Sequence, residues 1–142
     1  PMDELRMRVM AGLSASTGVK LSVDDARHLW GADSLEVAAD ALDRIDPPVA
    51  VITDGSRGAL LRVGDSRIRQ DAFPVEAIEP TGAGDAFTSA FVFRMIQRNW
   101  QGADADDLRF AMASGALATT KPGAMDGLPT HDQVMEFLHA HT

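Results

Sequence analysis

A chain of 142 residues, 45% of them hydrophobic and only 7 of them proline, is long enough for one domain with a real core and too apolar for a disordered tail. Its 21 acidic residues against 13 basic ones give a net charge of −8, which argues against a nucleic-acid partner, because binding to a phosphate backbone needs a basic face. The absence of cysteine excludes disulfides and thiolate metal sites, and no apolar run reaches the roughly 20 residues of a membrane span.

In chain order, Leu5, Val9, Met10 and Leu13 recur at helical spacing and predict an amphipathic helix over 3–16, ending near Gly18. Val19-Lys20-Leu21 is a short strand. Ser22 caps a second helix, with Asp24 and Asp25 in the first turn where the helix dipole favours carboxylates; it carries Ala26, Leu29 and Trp30 and stops at Gly31. Ser34 caps a third, with Leu35, Ala38, Ala39 and Leu42 on one face. After the Pro47-Pro48 break, Val49 to Thr53 is a continuous apolar run, the pattern of a strand buried on both faces in a parallel sheet. A loop at Asp54–Gly58 leads into a strand from Ala59 to Val63, a turn at Gly64-Asp65, and an extended pair or edge strand from Ile68 to Val75. Helices are predicted over 83–98, 104–120 and 130–139, punctuated by Gly102, Pro122-Gly123 and Thr130 with Asp132. Strands separated by helices predict an α/β layered sheet, and three closing helices with few strands look like one side of a larger doubly wound fold.

The stretch Glu79-Pro80-Thr81-Gly82-Ala83-Gly84-Asp85-Ala86-Phe87 reads as a loop opening a helix. Gly82 and Gly84 allow positive φ, so consecutive N–H groups can converge on one point, and the helix adds the positive end of its dipole. Asp85 then sets a carboxylate at the edge. An anion trap with a base beside it is what phosphoryl transfer to a hydroxyl requires. By itself the same loop is also a tight turn with an N-cap. Any phosphate ligand of so acidic a chain would rely on backbone dipoles, a metal ion and a few placed cations.

Four segments in order carry a family resemblance. Lys20-Leu21-Ser22-Val23-Asp24-Asp25, with Leu29 and Gly31, resembles a segment that holds an Asn-x-x-Glu element. Thr53-Asp54-Gly55-Ser56-Arg57-Gly58 looks like a Thr-x-Gly-x-x-Gly nucleotide loop. Pro80 to Asp85, with Ser89-Ala90-Phe91, looks like a C-terminal signature, and Gly115 to Met125, with Leu128-Pro129, is very similar to the C-terminal segment of bacterial fructokinases. From about Val19 onward the chain is thus similar to the ribokinase-like family of carbohydrate kinases. The resemblance implies an α/β fold, the C-terminal part of a ribokinase-like doubly wound αβα sandwich. Residues 1–142 would form a single partial domain, with the N-terminal half and the lid absent; a start at Pro1 with Met2 behind it fits a fragment or an altered start.

The resemblance also implies a site. Asp85 would be the catalytic base, and Gly82, Ala83 and Gly84 the anion hole, through the N–H groups of Ala83, Gly84 and Asp85. Thr53, Gly55 and Gly58 would line the nucleotide phosphates and ribose, and Arg57 would reach a phosphate or lie in solvent. Ser22 and Asp25 take the Asn and Glu places, so Asp25 would organise the waters of Mg²⁺, although Ser-x-x-Asp is equally a capping arrangement. Phe110 to Ala124 would wall an adenine pocket, where Ala113, Gly115 and Ala116 are small enough to admit a ring; Met112 lies at its edge or fills the core. Glu79 stands where relatives hold a monovalent cation beside an Asp, so potassium is a further expected ion. His131, His139 and His141 fall on the C-terminal helix or tail and His28 stands alone, so no transition-metal site is expected.

The implied reaction is transfer of the γ-phosphoryl group of ATP to a sugar hydroxyl, most like fructokinase, in the cytoplasm and without a membrane or nucleic-acid partner. The alternatives are a kinase for ketodeoxygluconate, ribose or a nucleoside, and a truncated chain that binds nucleotide or anion without catalysis. Apolar strand edges exposed in such a fragment predict a homo-oligomer.

Overall fold

The computed structural model describes residues 2–123 and 127–142. They form two compact units that divide after Arg69, and each is taken by itself. The first runs α1 (Met2–Ser14), β1 (Gly18–Ser22), α2 (Val23–Trp30), α3 (Leu35–Asp43), β2 (Val49–Thr53), β3 (Ala59–Val63) and β4 (Ser66–Gln70), the last residue of β4 lying across the division. Hydroxyls set the helix starts. Ser22 Oγ accepts from the Asp25 N–H while the Asp25 carboxylate accepts from the Ser22 N–H, and Ser34 Oγ accepts from Val37. Gly31 closes α2 at φ 70, a left-handed conformation that costs glycine no Cβ clash.

The strands lie in the order β1-β2-β3-β4. β1 is parallel to β2, with Leu21 opposite Ile52, and β2 is antiparallel to β3, with Ile52 opposite Leu60. The expected parallel sheet is therefore mixed. Only residues 54–58 join β2 to β3, too few for the crossover of about a dozen residues that a parallel pair needs. β2 is buried from Val49 to Ile52, as its apolar run predicts. Leu21, Val23, Ala26, Leu35, Ala38, Leu42, Ile52 and Leu60 form one core where α2 and α3 cover the sheet.

Two features of this unit were not anticipated. Arg62, 3% exposed inside β3, donates to Asp43 (2.5 Å), Asp46 (2.5 Å) and the Pro47 carbonyl (2.9 Å), tying the strand to the turn after α3. With Arg67 adding a second bond, these guanidinium groups hold the Asp43 carboxyl below the usual carboxylate range, Arg62 contributing most. The helix α1 also departs from expectation. It ends at Ser14, whose hydroxyl turns back to the Met10 carbonyl (2.9 Å), and its apolar face buries no residue; Leu5 stays 55% exposed. Because α2 and α3 already cover that face of the sheet, α1 is held by Trp30 Nε1–H on Met10 Sδ (3.4 Å), Arg6 on the His28 carbonyl (3.1 Å) and the packing of Leu13.

The second unit begins with irregular chain and continues as α4 (Ala83–Gln97), α5 (Ala105–Thr119) and α6 (His131–Ala140). The extended segment expected from Ile68 to Val75 ends as a strand at Gln70; further on, Pro74 has no N–H to offer a ladder. Asp104 caps α5 in a box closed by Asp107, and Thr130 caps α6 in one closed by Gln133. α4 and α5 are joined through the fully buried Asp107, whose carboxylate accepts from Arg94 Nε at 2.7 Å and forms an ion pair with Arg98 Nε at 2.5 Å. Ala124 and Met125, counted above in the fructokinase-like segment, and Pro1 lie outside the described residues.

Candidate active site

Helices α2, α3, α5 and α6 each start on a Ser, Asp or Thr whose side chain accepts a first-turn N–H. α4 starts on Gly82, at φ 88 and without a side-chain cap. The Ala83 N–H turns back to the Pro80 carbonyl (3.2 Å) and the Ala86 N–H to that of Gly82 (2.9 Å). The N–H groups of Gly84 and Asp85 have no hydrogen-bond partner among the described residues. Two adjacent open donors at the positive end of a 15-residue helix are a place for an anion. Of the three donors expected, Ala83 is thus already engaged. Asp85, in the same first turn, is exposed.

Just before this turn, Glu79 Oε1 accepts both the N–H (3.0 Å) and the Oγ–H (2.5 Å) of Thr81. The hydroxyl bond first, then the amide bond, holds the Glu79 carboxyl below the usual range, so it is ionised. Sequence reasoning missed Thr81 as its partner; a hydroxyl two residues beyond the carboxylate was the available signal. On α5, Met112, Ala113 and Gly115 are buried and Ala116 is half-buried, so Ala116 offers surface that the other three do not.

In the first unit the sheet brings Ser22–Asp25 and Thr53–Gly58 together. Ser22 lies opposite Thr53 in the parallel β1–β2 pair, so both segments leave carboxyl ends of strands, where open α/β sheets take ligands. Beyond Thr53 the chain makes one 3₁₀ turn, Gly55–Arg57, closed by the Gly58 N–H on the Gly55 carbonyl (3.2 Å) and the Asp54 N–H on that of Gly58 (2.8 Å). Gly55 at φ 52 and Gly58 at φ 97 make that turn possible. Arg57 is exposed and forks onto Asp54 at 2.8 and 2.7 Å, which raises its own pKa; Asp54 is a partner the sequence reading did not name. Asp25 Oδ2 accepts from the Ser22 N–H (2.8 Å) and Oγ–H (2.7 Å), and the backbone bond is the main reason its carboxyl lies below the usual range. The capping arrangement is therefore formed, with the ionised Asp25 exposed to solvent.

Among the described residues, no group of three or more His, Cys, Asp or Glu is placed to hold a metal ion, and no helix is long and apolar enough to cross a membrane.

The model of the pfkB family carbohydrate kinases matches residues 2–131. Aminoimidazole riboside kinase of Salmonella typhimurium is 32% identical over 142 residues, covering 99% of this chain and 44% of that protein. Fructokinase of Klebsiella pneumoniae is 31% identical over 140 residues, covering 96% and 46%. A crystal structure of a fructokinase double mutant from Vibrio cholerae O395, in its fructose-, ADP- and potassium-bound form, aligns with a TM-score of 0.84 at 34% identity, over 96% of this chain and 45% of that one. The chain thus spans less than half the length of the relatives it matches, and its mixed α/β fold is part of the ribokinase-like architecture. The chain belongs to the pfkB family of carbohydrate kinases.

Proposed function

We propose that residues 1–142 are the nucleotide-side, C-terminal portion of an ATP-dependent sugar kinase of fructokinase type, one partial domain of a longer fold. The observation that carries the reading is the uncapped start of α4: two open N–H donors, on Gly84 and Asp85, beside the exposed Asp85 carboxylate. Asp85 takes the proton of the sugar hydroxyl as its oxygen bonds to the γ-phosphorus; the bond from that phosphorus to the β,γ-bridging oxygen breaks, and ADP leaves. The Gly84 and Asp85 N–H groups hold the negative charge of the transferring group. Thr53, Gly55 and Gly58 take the nucleotide phosphates and ribose, and of Met112, Gly115 and Ala116 on α5 the half-buried Ala116 takes the adenine, the other two being buried. Arg57 is held by Asp54 and must leave that fork to reach a phosphate.

The ionised, exposed Asp25 fits Mg²⁺ through its water shell, and the ionised Glu79 fits a monovalent cation such as the potassium bound to the Vibrio cholerae enzyme. Bound Mg²⁺ would neutralise charge on the phosphate oxygens. A kinase that draws on ATP belongs in the cytoplasm. The exposed apolar residues Val92, Phe93 and Ile96 on α4, with Trp100 in the turn beyond it, support self-association; a monodisperse monomer by light scattering would contradict that part.

Calorimetry tests the reading. ATP with Mg²⁺ should bind the chain, Asp85→Asn should leave that binding largely intact, and Gly82→Val, strained at positive φ, should abolish it. Failure of the unaltered chain to bind ATP contradicts the proposal. A second reading, a nucleotide-binding piece without catalysis, draws on the span of 44–46% of the relatives. It predicts no phosphorylation of fructose by the pure chain, and turnover there would remove it.

A further inference from the structure

One helix touches the turn at the start of α4 from both sides. The carbonyl of Thr119, the last residue of α5, accepts the N–H groups of Ile78 (2.8 Å) and Glu79 (3.0 Å), which lead into the turn. One helical turn back on the same face, Gly115 is buried against the turn's exit. A methyl group on it would lie 3.2 Å from the Ala83 carbonyl oxygen and 3.5 Å from Phe87 Cβ. Ser114, also buried, donates its hydroxyl to the Ala86 carbonyl (3.3 Å). Entry and exit of residues 79–87 are therefore both referred to α5. Thr119 uses an acceptor that a helix end leaves open in any case.

We propose that α5 is the element that positions the anion-binding turn, with Gly115 as the residue that sets it. The missing side chain lets α5 reach the Ala83 carbonyl, and that contact fixes the direction in which the next two N–H groups, those of Gly84 and Asp85, point. Gly115 and Ser114 are positioning residues; they act through Ala83 and Ala86, not on a ligand. The inference rests on the proposed anion site for its effect on binding, but the positioning itself is readable without a ligand.

The test is Gly115→Ala in the 142-residue chain, followed by amide hydrogen exchange and by ATP affinity with Mg²⁺. The added methyl must push the Ala83 carbonyl by a few tenths of an ångström. Exchange should rise at Ala83 and Ala86, which close the turn, and at Ile78 and Glu79, while the middle of α5 keeps its protection. ATP affinity should fall about tenfold, the loss expected when two donors are misaimed. Ordinary packing damage would lower the melting temperature and leave both readouts unchanged. Gly12→Ala on α1, where a methyl meets nothing within 4 Å, is the control and should change neither.

A folded Gly115→Ala chain with unchanged protection at those four amides and affinity within about twofold of the parent overturns the proposal. If Gly115→Ala does not fold, Ser114→Ala decides. Loss of its bond to Ala86 should raise exchange at Ala86 and weaken ATP by about threefold, and no change in either overturns the proposal. Should the unaltered chain bind no ATP, the anion-site reading fails, and the exchange pattern alone upholds or overturns the positioning.

Discussion

Replacing Asp107 with Ala tests whether the α4–α5 pair is held by charge or by packing. Asp107 is fully buried; its carboxylate accepts from Arg94 Nε at 2.7 Å and from the Asp104 N–H at 3.0 Å, and Arg98 Nε lies in ion-pair contact at 2.5 Å. Removing one partner of a buried ion pair leaves the other charge uncompensated and costs about 3–5 kcal/mol. The Arg94 side chain keeps 27% of its surface in water, which places the expected loss near the lower end, about 3 kcal/mol. For a chain of this size that corresponds to a fall of about 10 °C in Tm. Urea titration with a far-ultraviolet readout gives the difference directly, provided the slope is unchanged. Asp107→Asn keeps the shape and the Asp104 bond and should fall between parent and Asp107→Ala. A loss under about 1 kcal/mol for Asp107→Ala would refute the reasoning and assign the pair's stability to its apolar contacts.

The remaining predictions are local. Ser22→Ala removes the N-cap hydroxyl and the lesser of Asp25's two bonds to Ser22, the backbone N–H remaining, so it should cost about 1 kcal/mol in urea and raise the Asp25 pKa only part of the way to its ordinary value, read by carboxyl carbon shifts. Asp43 is depressed by Arg62 and Arg67, so the stability it contributes is complete above its unfolded pKa of about 4 and is lost as pH falls through its lower folded value. Asp43→Asn should therefore flatten the loss of stability below about pH 4, and an unchanged acid limb would contradict the assignment.

Local rules reached far along this chain. Ser22, Ser34 and Thr130 announce their helices because a cap is satisfied within four residues, and the run Val49–Ile52 announces a buried strand because no polar atom interrupts it. The direction of β3 was not legible from its own residues; it follows from the length of the connection. The burial of Arg62 depends on Asp43 and Asp46, 19 and 16 residues earlier, and nothing in Ala-Leu-Leu-Arg-Val points to them. The helical spacing of α1 predicted its helix but not its burial, which depends on what α2 and α3 leave uncovered. At the candidate site, the glycines around Ala83 showed a turn able to present N–H groups. That the Ala83 N–H is engaged, that Thr81 holds Glu79 and that α5 grips both ends of the turn are properties of the folded chain.

The central claim is that phosphate is received at the start of α4. Nitrogen-15 NMR of the chain titrated with ATP and Mg²⁺ tests it most directly. The account predicts that the Gly84 and Asp85 amide signals move most among residues 70–142, downfield as their open N–H groups acquire an acceptor. Saturable binding that leaves those two signals in place and shifts α6 residues instead would contradict it.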